Sequence, residues 1–321
     1  MTSLLRRKLI VVTGKGGTGK TTVTAALGLL AAREGRRVVL VEMSGQQLLP
    51  GLLGAEPPAS RSSRTEGPDE LPLAEGLWCT SIDPDQTLLD WLGEVGGRLP
   101  ARLLAARDSF RYFAAAAPGA KELLSLVRIW ELTQEERWGR RDGAYDLAIV
   151  DAPATGHALA MLSSPATFGA IARVGPIATQ ATEVGQLLAD PERTGYLAVA
   201  QASEASISET LELSAALEAD PGRELDHVIV NGTLAQRFTR AEIDGLERLK
   251  GGREIEAAIA AARLVDERAR RQRNQIARLR RARLPVLTLP FVFRPRLARS
   301  DLEAMSSRLE RGLETGLPSA L

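Results

Sequence analysis

The sequence predicts a doubly wound α/β fold on a mostly parallel sheet, and three observations carry that expectation. Short apolar, β-branched runs recur between long alanine- and leucine-rich stretches. The runs show little polar alternation, as in strands covered on both faces. The segments between them have a helical pattern, which puts helices on both sides of the sheet. With 321 residues, 44% of them hydrophobic, the chain can bury a full core in one large domain spanning residues 1–321.

Taken in order, strands are expected at KLIVVT, RRVVLVE, LWCTSI, YDLAIVD, GYLAVA, DHVIVN and PVLTLP. The basic start, MTSLLRRK, runs through a short apolar stretch straight into glycines, which reads as a first strand and not as a secretory signal. Residues 54–76 are rich in proline, serine and charge and read as a mobile surface loop. Residues 86–143 are helical in pattern and far longer than one crossover helix needs, so they read as a helical insertion. That region and its end carry Trp91, Phe110, Tyr112, Phe113, Trp130, Trp138 and Tyr145, seven of the 13 aromatic residues. Their expected role is a core of the insertion's own, with a partner or client surface as the sharper alternative. The uncharged run 152–172 contains two prolines, a histidine and several hydroxyls, which suits a buried loop and helix and no stable membrane insertion. Residues 263–283 hold nine arginines and two acids, a solvated helix face with Ile276 and Leu279 turned inward.

Composition narrows the function. The 41 basic and 40 acidic side chains nearly cancel, so no global field draws nucleic acid or anionic lipid, and no nucleic-acid partner is expected. Cys79 is the only cysteine, which excludes intramolecular disulfides and cysteine-clustered metal sites and fits a reducing cytoplasm.

The stretch VVTGKGGTGKTT carries the chemistry. Gly14, Gly19, Lys20 and Thr21 complete G-x-x-x-x-G-K-[ST] between a strand and an apolar helix, the context a phosphate-binding loop requires. Backbone N–H groups of Gly14, Lys15, Gly16, Gly17, Thr18, Gly19, Lys20, Thr21 and Thr22 can turn around phosphate oxygens, and the helix N-terminus adds partial positive charge. Lys20 supplies a full charge to the β- and γ-phosphates, and the Thr21 hydroxyl can ligate Mg²⁺, so ATP with Mg²⁺ is the expected ligand. Lys15, at the start of the loop, cannot easily curl onto its own γ-phosphate, and a solvated surface charge is one reading of it. However, GKGGTGKTT resembles the deviant Walker A loop of the MinD/ParA and arsenite-pump ATPase superfamily of P-loop ATPases. The resemblance implies that Lys15 crosses a two-fold interface to the partner's phosphates.

IVDAPATGHALAML resembles the second switch of the arsenite-pump and tail-anchored-protein-targeting branch. It implies Asp151 as the acid holding a Mg²⁺-bound water, and Pro153, Thr155, Gly156 and His157 as a switch answering the γ-phosphate. Ile82-Asp83-Pro84 resembles the family's tripeptide after its edge strand. By the same resemblance Asn231 reads the adenine edge, and Pro290 and Phe291 lie in an adenine-cradling loop. The first switch departs from the pattern: in VVLVEMSGQQLL, Glu42 takes the earlier acidic position and Ser44 stands where the water-orienting Asp belongs. Serine cannot take a proton near neutral pH, so Glu42 is the remaining candidate for influencing the water.

These readings imply a cytoplasmic Mg-ATP-dependent dimer with slow hydrolysis, either a homodimer or a heterodimer with a paralogous ATPase, controlling an unknown protein client. A non-hydrolysing ATP sensor and a chaperone for apolar membrane-protein segments are the alternatives. One cysteine cannot form an arsenite thiolate cluster, C-x-x-C is absent, and none of the four methionines lies in the insertion, so neither named activity of the branch is carried over.

Overall fold

The computed structural model of the chain describes residues 3–43, 47–55, 70–96, 119–138, 144–171, 174–220 and 222–315. Its strands are β1 Leu9–Thr13, β2 Val38–Glu42, β3 Leu71–Ala74, β4 Leu77–Ser81, β5 Leu147–Asp151, β6 Thr194–Gln201, β7 Leu225–Thr233 and β8 Val286–Pro290. They form one sheet in the order β3-β4-β2-β5-β1-β6-β7-β8. Every pairing is parallel except that of β3 with β4. Each residue of β1, β2 and β5 is buried, which is why these runs lack polar alternation: helices cover both of their faces.

The helices are α1 Lys20–Arg33, α2 Leu48–Leu52, α3 Pro84–Gly96, α4 Ala120–Leu132, α5 Thr155–Ile171, α6 Pro176–Ala189, α7 Glu204–Glu218, α8 Arg240–Leu246, α9 Arg253–Arg281 and α10 Arg299–Thr315. One core lies on the face covered by α1, α2 and α10, with Leu27, Leu30, Leu49, Leu302 and Leu309 against Ile10, Leu40 and Ile149. A second lies on the face covered by α3 to α7 and α9, with Leu126, Phe168, Leu187, Leu213 and Ile276 against Val11, Val39 and Val150. The doubly wound α/β class read from the sequence is the observed one. No helix among the described residues is long and apolar enough to cross a membrane.

Three features differ from the sequence reading or add to it. The stretch read as loop up to residue 76 ends in β3, a four-residue antiparallel edge strand beside β4. LWCTSI is therefore not the sheet's edge. Among the described residues, the aromatics of this region join the core of the main sheet and do not form a separate one. Trp91 is 5% exposed, joins the same apolar cluster as α4, α5 and β5, and donates its indole N–H to Gln180 Oε1 at 3.2 Å. Trp130, Trp138 and the buried Tyr145 pack at the same place, because α4 lies directly on the sheet and its helices. Phe110, Tyr112 and Phe113 lie outside the described residues.

The third feature was invisible in the sequence. Arg128, Arg137, Glu70 and Glu131 form an ionic cluster whose side chains are 7%, 2%, 4% and 0% exposed. Arg137 binds Glu70 through two N–H groups at 3.1 and 2.7 Å and Glu131 through two more at 3.1 Å each. Arg128 donates to Glu131 at 2.6 Å, Tyr145 donates its hydroxyl to Glu70 at 2.5 Å, and the Trp138 backbone N–H donates to Glu131 at 3.1 Å. The cluster pins the end of α4 and the return into β5 to the residue just ahead of β3.

Candidate functional site

Parallel register brings the carboxyl ends of the central strands to one edge. Glu42 pairs with Asp151, Thr13 with Ala198, and Gln201 with Asn231. Ligands of doubly wound sheets bind at this edge, where the winding reverses. The phosphate loop leaves β1 there and turns into α1.

Two glycines make the loop possible. Gly14 has φ +134°, and a Cβ on it would run into the Val199 carbonyl of β6. Gly19 has φ +93° and serves as the N-cap of α1, where a Cβ would collide with the Asn231 amide. Only glycine fits either place. Side chains from neighbouring strands and from the loop itself then hold the loop's carbonyls. Asn231 donates Nδ2–H to Thr18 O at 3.0 Å, Gln201 donates Nε2–H to Gly17 O at 3.2 Å, and Thr18 donates its own hydroxyl to Lys15 O at 2.8 Å. Gly16 and Gly17 are exposed, and Thr22 continues α1 half-buried.

Lys20 curls back over the loop, its ammonium 3.1 Å from Gly14 O and 3.4 Å from Lys15 O. Burial pushes its pKa down, against the pull of Asp151 and Glu209. Asp151 ends β5 and is 6% exposed. Thr21 donates its hydroxyl to Asp151 Oδ2 at 2.6 Å. Burial pushes the Asp151 carboxyl up, opposed by that hydrogen bond and by Lys20. The other carboxylate oxygen, Oδ1, is buried without a hydrogen-bond partner. A hydroxyl and a carboxylate held together, with one carboxylate oxygen still unsatisfied, fit a hard, oxygen-seeking cation such as Mg²⁺.

Lys15 points away from this pair. Its ammonium lies 2.7 Å from Glu209 Oε2 of α7, with the two side chains 46% and 27% exposed. Lys15, with the Thr155 hydroxyl beside it, holds the Glu209 carboxyl below its ordinary value. In the stretch expected to form a switch, the Pro153 carbonyl accepts the Thr13 hydroxyl at 3.1 Å, and buried Thr155 opens α5. Gly156 and His157 follow on the exposed side of that helix. Pro290 ends β8, and Phe291 is 51% exposed beside Phe293, the two rings 4.8 Å apart edge to face.

The part of the chain that carries this loop and the acid ending β5 matches a known family. The model of the anion-transporting ATPases matches residues 7–175, which run from just before β1 to the start of α6. The chain belongs to the anion-transporting ATPase family. Among relatives of this family, a Mycobacterium tuberculosis protein named ATPase BagA is 31% identical over 210 residues, 64% of this chain and 59% of that protein. A Paramecium tetraurelia protein named as an ASNA1 ATPase homologue is 29% identical over 159 residues, 49% of this chain and 44% of its own length. An Aquifex aeolicus protein named a putative arsenical pump-driving ATPase is 28% identical over 163 residues, 49% of this chain and 38% of its own. The chain thus spans well under two thirds of the length of the relatives it matches.

Other sites named from the family pattern fall as follows. Glu42 ends β2, is 2% exposed, and accepts the backbone N–H of Leu48 at the start of α2, at 2.7 Å. Ser44 lies outside the described residues. Asp83 caps α3, accepting the N–H groups of Asp85 and Gln86 at 3.0 and 3.3 Å. Asn231, expected to face a base, lies against the phosphate loop through its amide nitrogen. Sequence reasoning missed Glu209, Gln201 and Gln272. Gln272 of α9 accepts the Leu234 N–H at 2.7 Å and donates to Gly232 O at 3.3 Å, holding the turn just after Asn231. Gln201 alone left a trace, as a polar residue closing an apolar strand.

Proposed function

We propose that the chain binds Mg-ATP at the phosphate loop and hydrolyses it slowly, the nucleotide state setting how two subunits pair and act on a protein client. The observation that carries this is the junction of Lys20, Thr21 and Asp151. It presents a cation for phosphate and, from Asp151 Oδ1, an unmatched oxygen for metal. When bound, Mg²⁺ supplies charge neutralisation of the β- and γ-phosphates. Thr21, and Asp151 through a bound water, would hold it, and Lys20 would exchange its two loop carbonyls for phosphate oxygens. Asn231 keeps the loop shaped while its amide oxygen offers an acceptor for an adenine amino group, with Phe291 as the apolar wall. Lys15 acts across the interface. The partner is a second copy or a paralogue, and the setting is the cytoplasm.

Slow turnover follows from the first switch. The Glu42 carboxylate is buried and engaged with the start of α2, a position that organises the switch and does not favour proton transfer from water. The test compares ATP loss in a single turnover with pairing on a non-hydrolysable analogue, both with Mg²⁺. The proposal expects saturable nucleotide uptake, analogue-dependent pairing that Lys15→Ala abolishes, and hydrolysis far slower than pairing. Absence of ATP uptake, or pairing indifferent to Lys15→Ala, overturns it.

A further inference from the structure

Resting on the ATP-dependent pairing just proposed, we infer that Glu209 is the positioning residue for Lys15, holding that ammonium within its own subunit until a triphosphate arrives. Lys15 and Glu209 stand 194 residues apart in sequence and meet at 2.7 Å. The supports around Glu209 show that this is a built contact. Ser203 caps α7 by accepting the Ser206 N–H at 3.4 Å, and the Ser206 hydroxyl accepts the Gln201 N–H at 3.1 Å. Gln201 in turn grips Gly17 O of the phosphate loop through its side chain. On the other flank, Arg278 of α9 donates to the Ser208 hydroxyl at 3.2 Å. The loop is thereby tied through Gln201 to the start of α7, and α7 is tied through Ser208 to α9, so the carboxylate stays opposite the lysine. The other two acids near this side of α7, Glu204 and Glu212, are exposed, whereas Glu209 is half-buried toward the loop.

The consequence is competition between two anions. A lysine is a compact charge on a flexible stem, and free in solution it samples many rotamers. Held by Glu209, it is withheld from any neighbouring subunit. A bound triphosphate presents several anionic oxygens beside the same carboxylate, which it repels, and a partner's triphosphate presents the same number to Lys15. Nucleotide therefore weakens the internal pair and rewards the external one. An unliganded chain stays single because its crossing lysine is occupied.

The experiment measures the pairing constant by sedimentation as a function of a non-hydrolysable ATP analogue with Mg²⁺. It uses the unaltered chain, Glu209→Gln, Lys15→Ala and the double variant. Glu209→Gln is expected to raise the pairing constant at sub-saturating analogue by about two- to thirtyfold, since a half-exposed pair is worth only a few-fold and two open per dimer. Glu209→Asp, one methylene shorter, should fall between. In the Lys15→Ala background, where pairing is lost, the same change should restore none of it. A companion measurement, the side-chain NMR signal of Lys15 in the nucleotide-free monomer, should shift on Glu209→Gln and on analogue binding alike. The inference is overturned if folded Glu209→Gln pairs no more readily than the unaltered chain, or if its effect persists without Lys15. If the unaltered chain takes up no nucleotide, the ATP-binding reading itself falls.

Discussion

Arg128, Arg137, Glu70 and Glu131 at the base of the insertion, and Lys15, Lys20, Asp151 and Glu209 at the phosphate loop, are both groups of two cations and two carboxylates. They differ in how far their bonding is completed. In the first group guanidinium forks meet both carboxylates, and a tyrosine hydroxyl and a backbone N–H take further lone pairs. In the second group, the cations are lysines. One bonds to backbone carbonyls, the other is half exposed, and Asp151 keeps an oxygen unmatched. A saturated cluster fixes geometry, while an unsaturated one leaves capacity that a ligand can fill.

The sharpest way to break the comparison is at the saturated cluster. Arg137→Met leaves two buried carboxylates to share the single charge of Arg128 and should cost about 3–5 kcal/mol of stability in denaturant unfolding. Nucleotide affinity of the remaining folded chain should be unchanged. A loss below about 1 kcal/mol would mean that the cluster is not the fastening the geometry describes. Lys20→Met should reverse the pattern. Removing a charge-assisted phosphate contact should weaken Mg-ATP binding by about 10- to 100-fold in a titration calorimeter. Stability without nucleotide should hold or rise, because the buried ammonium is already disfavoured there.

Asp151→Asn sharpens the same point with a smaller effect. Burial raises the folded carboxyl above its ordinary value of 3.8, so between the unfolded and folded values the folded chain holds more protons. Stability contributed by this group therefore falls as pH rises through that window and stays low above it. Asparagine keeps an acceptor for the Thr21 hydroxyl and carries no charge. It should stabilise the nucleotide-free chain by about 1 kcal/mol at neutral pH and abolish the extra thermal stabilisation that Mg²⁺ adds to nucleotide.

What could be read in advance divides along the same line. The phosphate loop was legible because its parts are contiguous: the glycines with positive φ, Lys20 and Thr21 lie within one turn of chain between a strand and a helix. Asp151 was legible as the acid closing an apolar run. Glu209 was not, since in SISETLELS it looks like any acid on a helix surface, and only the crossing of α7 over the loop distinguishes it from Glu212. The ionic cluster escaped for the same reason, Glu70 standing ahead of β3 while Arg128, Glu131 and Arg137 lie 58 to 67 residues on, toward the far end of the insertion. β3 escaped because LPLA is four residues with a proline. It becomes a strand only by turning back on β4 at Gly76, whose φ is +71°.

The Lys15–Glu209 pair carries the smallest effect on stability and separates the two groups most cleanly by conditions. Its lysine is nearly half exposed, so water and salt screen it, and Glu209→Gln should change stability by no more than about 0.2–1 kcal/mol. Because Lys15 holds the Glu209 carboxyl below its ordinary value of 4.5, the contribution is present above that value and is lost as pH falls through the lower, folded one. Stability of the unaltered chain minus that of Glu209→Gln, followed from pH 7 downward, should stay level and then close below the ordinary carboxylate range. Raising the ionic strength to about 1 M, where the screening length falls to about 3 Å, should shrink the same difference at neutral pH. The difference between the unaltered chain and Arg137→Met should barely respond to that salt, because its ions are sealed from water. If both differences respond alike, burial does not separate the two clusters, and the loop's charges are no freer to change partners than the insertion's.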